Sequence, residues 1–599
     1  MAEKRQPKHK RKTIPDDVRE VMKDAEKQRG ARESEQNNPL EAFAMPGNPA
    51  PAMATDPGTP EDDIVEWCAS LDQSDTDNAA RLIAHFGRDV LVVSQAKARA
   101  PFWAVWTGRY WDTDTGAARA FAVAQKVGPR MLLELERITL TESQQKLVDA
   151  ANSALEKGKD RSLSDADRKL VKKADSVLKR LGDRIDSRRK FAVTSKNRGR
   201  IEAMLACAAP HIQRDPDAFN ADKLKFACNG HTISFRRFKK DKVINAGDPD
   251  NEREIEVDDA ELIVCKGHER SDLITQIVPV DFKPDADCPL WRAFLAEMIP
   301  DLAVRKMIQV ASGLGLLGLT VQKLFFHFGA GANGKSVYME TLTRLLGESA
   351  VTLPASSFMG ESRSAGSASP DIAKLYGRRF LRVKEIPEGE ELQEAFVKEA
   401  TGGEAISARD LFLGYFDFEP IFTAHMSGNG YPRITGTDEG IWRRMAVVHW
   451  PVQIPIEMRR PFEEMIARFE PEYPGILNWM IEGVMTYLRE GLFIPESVTA
   501  STAQMRFEMD PTAEFCRDCV DPDPVGAVRG AELYQAYVRH HEDRVGRHGR
   551  PISIQRFGRI IKKKYEFAED RGTVYRVRLH DVPVSEPGGF PPGYGGLGT

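Results

Sequence analysis

The sequence of 599 residues is poor in cysteine and has no long apolar segment. Its seven cysteines include one C-x-x-C pair, Cys516 and Cys519; a structural zinc site normally needs four ligands, so we interpret these thiols as lying on a helix surface. An odd cysteine count without a disulfide pattern indicates a reducing compartment. The longest apolar run, 310–321, is too short to span a bilayer, and the N-terminus has no apolar signal segment. We therefore expect a cytoplasmic protein without membrane contacts.

An excess of charge of one sign is also missing, since 85 Lys and Arg stand against 89 Asp and Glu, for a net charge of −4. The net charge does not indicate a polyanionic partner, so any nucleic-acid contact must come from local basic regions. The apolar fraction of 41% is near the globular average, and the length suits roughly three or four domains. Residues 1–60 combine a basic cluster with a Pro/Ala/Gly-rich run, and we expect a disordered, solvated tail.

Residues 329–336 read G-A-G-A-N-G-K-S directly after a strand-like apolar run, which is the phosphate-binding pattern G-x-x-x-x-G-K-[ST]. Glycines let backbone N–H groups cradle a polyphosphate, and the helix that follows directs its positive end at it. Lys335 would bind the β- and γ-phosphates, and the Ser336 hydroxyl would bind Mg²⁺. The sequence thus predicts ATP and Mg²⁺, with the nucleotide held by Gly329, Ala330, Gly331, Ala332, Asn333, Gly334, Lys335, Ser336 and Val337.

Hydrolysis also needs an acid near Mg²⁺, a polar sensor of the γ-phosphate and a cation for developing charge. Glu385 ends a second predicted strand, so it is our candidate for holding Mg²⁺ or orienting water, with Glu388 as a possible helper. Asn429 follows a third strand and suits the sensor. Arg443 and Arg444 precede a fourth strand, and either suits an arginine finger acting across a subunit interface. The catalytic set is therefore Lys335, Glu385, Asn429, Arg443 and Arg444.

These patterns divide the chain into five predicted segments, and the fold class is α/β. An α+β domain at 61–285 follows the tail; within it we expect a charged antiparallel helix pair at 141–189 with a solvated face, and short β pieces with a polar insertion at 239–258. An ATPase domain with a mostly parallel sheet occupies 286–490. A winged-helix domain at 495–582 and a loose tail at 583–599 complete the chain.

The C-terminal domain is the most basic predicted fold, with twelve Lys or Arg against five Asp or Glu between Arg539 and Arg578. A basic recognition-type helix and a basic wing would suit duplex DNA, although a winged helix can also dock proteins. The candidate DNA contacts on the helix are Arg556, Arg559, Lys562, Lys563 and Lys564.

The order of these motifs resembles the superfamily 3 helicases, in particular the phage and plasmid primase family related to the poxvirus helicase-primase ATPase. The motifs occur in this order: a glycine-rich loop, a strand-end Glu, a Lys before Thr-Gly-Gly-acid, Ala-Arg before a hairpin, Ser-x-Asn and Trp-Arg-Arg. The resemblance covers roughly residues 84–580. Two departures are a single Walker B acid, Glu385, and Ser-Gly-Asn in place of the commoner Ser-Thr-Asn. A segment of about 60 disordered residues is too short for a polymerase-type domain, so we expect no primer synthesis.

The resemblance implies an AAA+-like ring, a hexamer by expectation, with ATP between subunits and a hairpin reaching single-stranded DNA in the channel. Lys398 and Arg409 match the motif that precedes this hairpin, and Tyr415 lies in the hairpin itself, predicted at 413–416. The implied function is an ATP-dependent replicative helicase in a bacterial host cell, working with a separate primase or other replication proteins.

Three alternatives remain at this stage. An ATP-switched DNA-binding initiator or loader would not unwind DNA, and it would need no channel hairpin. A protein-remodelling ATPase could grip polypeptide with Tyr415 and Phe416, but a basic winged helix argues against it. A small-molecule kinase would leave the Trp-Arg-Arg element without a role.

Overall fold

The computed structural model describes Leu40, Phe43 and residues 61–94, 101–157, 163–244, 253–360, 370–409, 415–436, 439–545, 550–569 and 572–580. The chain forms two compact units, residues 1–221 with 268–275, and residues 222–267 with 276–599. Leu40 and Phe43, from the predicted N-terminal tail, are buried in the core of the first unit, whereas the predicted C-terminal tail lies outside the described residues. The five predicted segments stay predictions.

The first unit combines helices with a small sheet of order β3-β2-β1-β4. Ser74 begins the second helix by accepting a hydrogen bond from the backbone N–H of Asp77. The elements are α1 Glu61–Ser70, α2 Asp75–Phe86, β1 Val90–Val93, β2 Phe102–Trp106, β3 Trp111–Asp112, α3 Gly116–Ala124, α4 Val127–Met131, α5 Glu142–Lys157, α6 Asp165–Thr194, α7 Arg198–Ala208 and β4 Gln213–Arg214.

A buried ion triad lies in the core of this unit. Both Arg81 and Arg188 donate to the carboxylate of Glu134, and the side chains of Arg81 and Glu134 are fully buried. The predicted antiparallel helix pair is confirmed as α5 and α6, which meet through Val148, Ala151 and Ala174. The predicted break at Gly158 lies outside the described residues.

The second unit opens with a sheet of order β7-β6-β5-β8, comprising β5 Lys225–Asn229, β6 His231–Ile244, β7 Arg253–Lys266 and β8 Ile277–Asp281. The expectation of short β pieces with a polar insertion is wrong, because residues 239–244 and 253–258 continue two antiparallel strands of fourteen residues each. Cross-strand ion pairs, such as Arg237 with Asp258, accommodate the charges that suggested an insertion.

A five-stranded sheet of order β10-β11-β14-β9-β15 forms the centre of the second unit, and every pair in it is parallel. The predicted mixed α/β fold with a parallel sheet is thereby confirmed. The strands are β9 Leu324–Phe328, β10 Ala350–Leu353, β11 Phe380–Ile386, β14 Thr423–Gly428 and β15 Met445–His449. Apart from β10, most residues of these strands are buried, as in sheets covered on both faces.

Helices pack around this sheet. A separate pair of antiparallel strands lies between β11 and β14 in the sequence. The helices are α8 Pro289–Met298, α9 Leu302–Leu314, α10 Lys335–Leu346, α11 Pro370–Ala373, α12 Glu394–Ala400, α13 Glu439–Trp442, α14 Phe462–Phe469, α15 Tyr473–Glu490 and α16 Glu496–Met509, and the pair is β12 Ile406–Arg409 with β13 Tyr415–Phe418. No helix among the described residues is long and apolar enough to cross a membrane.

The C-terminal residues follow the predicted order of helices and short strands. They form α17 Ala513–Cys519, β16 Val520–Pro522, β17 Val528–Arg529, α18 Gly530–Val545, α19 Ile554–Lys564, β18 Phe567–Glu569, β19 Thr573–Tyr575 and β20 Val577–Leu579. Residues 573–579 form two strands with different partners, since β19 pairs with β17 and β18 whereas β20 pairs with β16. The assignment of Cys516 and Cys519 to a helix surface is wrong, because both thiols pack in the local core with Phe515 and Phe557.

Candidate functional site

The glycine-rich loop 329–334 leaves the carboxyl end of β9 and enters α10. Gly334 has φ +80°, and a Cβ there would lie 2.8 Å from the ring of Phe294, so only glycine fits. Gly329 has φ +154°, and a Cβ would lie 2.6 Å from both the Asn333 amide nitrogen and the backbone oxygen of Trp450. The loop therefore depends on glycine at its first and last positions.

Lys335 is only 4% exposed, although it carries an ammonium group. Its Nζ donates to the backbone oxygen of Gly329 at 2.6 Å, to Asn333 Oδ1 at 3.0 Å and to Asn429 Oδ1 at 3.3 Å. Burial lowers the pKa of Lys335 to about 8, and the carboxylate of Glu385 acts in the opposite direction. The site thus holds a desolvated cation whose direct partners are neutral oxygens.

Two of the other predicted catalytic groups lie at the same edge of the sheet. Glu385 is near the end of β11 and Asn429 directly follows β14; both are exposed and line one cavity of about 760 Å³ together with residues 331–337. Ser336 is half-buried at the start of α10. The neighbouring order of β11, β14 and β9 brings these side chains together. Glu388 packs instead against Gly430.

A cluster of three or more potential His, Cys, Asp or Glu ligands is absent from the described part of the chain. A divalent ion at this site would therefore rely on few protein oxygens, as Mg²⁺ bound mainly through phosphates and water does. Ser336 and Glu385 supply such oxygens to the cavity.

Sequence reasoning missed the other side of this cavity. An apolar wall is formed by Phe294 and Met298 from α8 and by Phe462 and Met465 from α14. The side chains of Arg459, Arg460 and Arg468 also line it, and all three residues are exposed. These positions carry no recognisable motif, and tertiary packing alone brings them to the loop.

A chain of buried aromatic rings ties the loop strand to its neighbours. Trp450 Nε1 donates to His327 Nδ1 at 3.0 Å, and His327 Nε2 lies 3.1 Å from His425 Nδ1. Burial lowers the pKa of His425 to about 3 and that of His327 well below its usual value, so both imidazoles stay neutral at ordinary pH. This arrangement fixes β9 between β14 and β15 beneath the loop.

Arg443 and Arg444 lie before β15, at the amino end of the sheet, opposite the loop. Arg444 is 8% exposed; its Nη1 donates to the Gly440 oxygen at 2.7 Å, and its backbone oxygen accepts from Leu324 N at 2.8 Å. Arg443 is exposed. The structure therefore does not bring these arginines to the cavity of their own chain.

The predicted DNA-binding residues are distributed over two regions. Lys398 is half-buried on α12, while Arg409 ends β12 and Tyr415 begins β13, on either side of a hairpin tip that lies outside the described residues. On α19, Arg556 and Arg559 are exposed.

Two of the lysines on α19 are engaged within the chain. Lys562 bonds Glu569 at 2.6 Å, and Lys564 pairs with Asp510. Lys563 is exposed.

Parts of the chain resemble known proteins. Residues 79–300 match the protein family described as "D5 N terminal like". A protein of Acanthamoeba polyphaga mimivirus named "Putative helicase" is 28% identical over 242 residues, which cover 38% of this chain and 25% of that protein. A Frog virus 3 protein with the same description is 33% identical over 276 residues, covering 43% and 28%. A protein of African swine fever virus named "Putative primase" is 27% identical over 174 residues, covering 28% and 18%.

The chain is therefore similar to a D5 N terminal like segment and to viral proteins named as putative helicases and primases. The resemblance to the superfamily 3 helicases of the phage and plasmid primase type is thereby confirmed. The chain spans about a quarter of the length of the first two viral relatives. A solved structure, the A form apo structure of NrS-1 C terminal region-CTR, is 13% identical with a TM-score of 0.30 and covers 50% of this chain and 77% of that chain, a likeness too low to bear on the fold.

Proposed function

We propose that this chain is an ATP-dependent DNA helicase of superfamily 3 that acts in phage- or plasmid-type DNA replication. One observation carries the proposal: Lys335, Glu385 and Asn429 surround a single cavity at the carboxyl ends of three adjacent parallel strands, beside the N-terminus of α10. Ligands of open α/β sheets bind at this edge, and a helix N-terminus there favours an anion.

The residues of the loop fit a polyphosphate. Lys335 is a buried cation with neutral acceptors, so an anionic phosphate would stabilise its charged form far better than backbone oxygens do. The Asn333 amide nitrogen is buried and has no partner among the described residues, which leaves a donor for a ligand oxygen. On nucleotide binding, Lys335 exchanges its bonds to the loop oxygens for bonds to the β- and γ-phosphates.

Each remaining group has a role in hydrolysis. The Ser336 hydroxyl and the Glu385 carboxylate would hold Mg²⁺, which would neutralise charge on the phosphates. Glu385 also orients the attacking water, while the Asn429 amide donates to a γ-phosphate oxygen. The apolar wall of the cavity, which includes Phe294 and Phe462, receives the apolar part of the nucleotide.

Arg443 would act on the cavity of another subunit, because it lies at the opposite edge of the sheet from the cavity of its own chain. The five residues of β9 alone separate the two edges by about 13 Å at 3.3 Å per residue. Arg443 is exposed and suits a finger acting in trans, whereas Arg444 is buried in its own subunit. A hexameric ring with ATP between subunits follows as the proposed assembly.

DNA contacts complete the proposal. Lys398, Arg409 and Tyr415 face single-stranded DNA in the channel of this ring. The C-terminal residues act as a winged helix that binds duplex DNA through basic residues of α19, among them the exposed Arg556 and Arg559.

The test is ATP hydrolysis by the full chain with and without single-stranded DNA, together with strand displacement. Lys335→Ala and Arg443→Ala should each abolish DNA-stimulated hydrolysis, and mixing the two variants should restore part of it because each supplies what the other lacks. Lys306→Ala, which removes an exposed lysine paired with Glu490, is the matched control and should behave as the parent. Hydrolysis that ignores DNA contradicts the helicase proposal, and stimulation without strand displacement favours an ATP-switched initiator or loader.

A further inference from the structure

The long helix α6 carries a continuous basic surface in the first unit. Six of its residues, which we call the basic stripe, are Lys169, Lys172, Lys173, Lys179, Arg180 and Arg184, and all six are exposed. At 3.6 residues per turn they fall within an arc of about 140° and extend over about 23 Å of the helix. Asp183 is the one acidic residue of α6 that lies between its first and last members within this arc.

The opposite side of α6 already has its partner. Ala174 is buried against Val148 and Ala151 of α5, with Leu170 and Val171 packed beside them. The stripe points away from this contact by helical geometry, so packing of the helix pair leaves it accessible.

In the part of the chain that the structure describes, no carboxylate neutralises the charges of the stripe. Among the described residues, none of the six lies within ion-pair distance of a carboxylate, whereas Arg189 of the same helix is paired with Asp186 at 3.1 Å. The other highly charged element, the β6–β7 pair, is built differently. Its Arg236, Arg237, Lys239 and Lys240 pair with Glu261, Asp258, Glu256 and Asp259 in turn.

We propose that the basic stripe of α6 is a docking surface for the phosphate backbone of duplex DNA. Charge complementarity identifies a polyanion, and duplex DNA carries one negative charge per about 1.7 Å of its axis, so a stripe of this length faces more phosphates than it has cations. Surfaces for single strands add aromatic residues on which bases stack. The only aromatic residue of α6, Phe191, is buried. A rigid stripe of cations without aromatic residues therefore fits backbone contacts to a stiff duplex.

The residues of this surface belong neither to the proposed ATP site nor to α19, and the surface binds DNA whether or not the chain hydrolyses ATP. Its contribution is independent of sequence, because phosphate contacts carry no base information. Each contact releases counterions, so the surface also adds to the salt dependence of binding, with a slope of about 0.9 per phosphate neutralised.

The test compares two fourfold variants of the full chain. The stripe variant carries Lys172→Gln, Lys173→Gln, Lys179→Gln and Arg180→Gln; glutamine keeps helix propensity close to that of lysine and arginine. The control variant carries Arg236→Gln, Arg237→Gln, Lys239→Gln and Lys240→Gln, which removes the same formal charge from residues that already have acidic partners. Binding of a short blunt duplex is measured by fluorescence anisotropy across a salt series without nucleotide.

We expect the stripe variant to bind the duplex at least about tenfold more weakly at low salt, and its log–log salt slope to become shallower by about 3. The control should change much less, and circular dichroism should show parent-like helix content in both. A twofold variant, Lys172→Gln with Lys173→Gln, should show about half of this change in slope. It serves as the test if the fourfold variant misfolds.

Equal losses in the two fourfold variants, or an unchanged slope in the stripe variant, would overturn the proposal. A loss confined to a single strand of the same length would also overturn it, since the stripe would then serve a different ligand. Capture of an acidic protein with no change in duplex affinity is a fourth result against it.

Discussion

Nucleotide binding by this chain should be accompanied by uptake of a proton at mildly alkaline pH, and Lys335 should be the group that accepts it. Burial lowers the pKa of this lysine to about 8. A phosphate bound at its ammonium would favour the charged form and raise the pKa again. Binding then requires that the deprotonated fraction of Lys335 take up a proton from the buffer.

The expected magnitude follows from the pKa of about 8. Lys335 is deprotonated in about a tenth of the molecules at pH 7, about half at pH 8 and about nine tenths at pH 9, and these fractions equal the protons taken up per site. Phosphate groups ionise with a pKa of about 6, so the ligand itself contributes little above pH 8. Because bound phosphate raises the pKa of Lys335, the affinity for nucleotide is highest below pH 8 and weakens about tenfold per pH unit above it.

Isothermal titration calorimetry measures this uptake directly. The apparent enthalpy of MgATP binding is recorded at pH 8 in buffers with different ionisation enthalpies. The slope of the apparent enthalpy plotted against the buffer ionisation enthalpy is the number of protons taken up per site. We expect a slope near one half, which should approach one at pH 9.

Lys335→Arg is the matched control, because arginine stays charged at these pH values. It should bind without proton uptake, even if more weakly. A slope of zero in the parent protein would refute the reasoning, since the lysine would then be fully charged before the nucleotide arrives. An equal slope in the arginine variant would assign the proton to another group.

Three further predictions concern other parts of the chain. Arg443→Ala should keep the thermal unfolding midpoint and lower ring hydrolysis on the order of 10³-fold, whereas Arg444→Ala should lower the midpoint because its buried guanidinium bonds a backbone oxygen; equal melting of both variants would contradict this. Glu134→Gln should cost about 3–5 kcal/mol in urea unfolding, because two buried arginines lose their counter-charge, and a cost below about 1 kcal/mol would be inconsistent with the triad. A thiol reagent should modify Cys265 and Cys207 rapidly in the native protein and the five buried cysteines only after unfolding, and a larger initial burst would show that the core is open.

The parallel sheet could be predicted because two of its strands, β9 and β15, are nearly continuous apolar runs. Strands buried on both faces need such runs, and each is followed by the polar or glycine residues of the loop edge. Strand β10, Ala350–Leu353, escaped prediction since it is short and three of its four residues are only half-buried. The end of β11 was placed within one residue, which is why Glu385 was correctly located at the loop edge.

The β6–β7 pair could not be predicted from hydrophobic periodicity, because its outer half has little to bury. Residues 239–242 are all exposed, and the strands continue through hydrogen bonding and cross-strand ion pairs. Charge pairing between residues about twenty positions apart leaves no signal in a local window. The two cysteines of the C-x-x-C pair were misplaced for a related reason: a short helix shows which residues share a face, but not which face the rest of the fold covers.

Burial distinguishes the two arginines of the Trp-Arg-Arg motif. Arg443 and Arg444 are equivalent in the sequence pattern, and both precede the same strand. In the structure one is exposed while the other holds Gly440 and, through its backbone, the first residue of the loop strand. The parallel sheet places its phosphate-loop edge and this arginine edge at opposite ends of the same strands. A ring that turns the amino edge of one subunit toward the carboxyl edge of the next would bring Arg443 to a neighbour's Lys335, so the geometry that prevents action within one subunit is the one that a motor coupled between subunits requires.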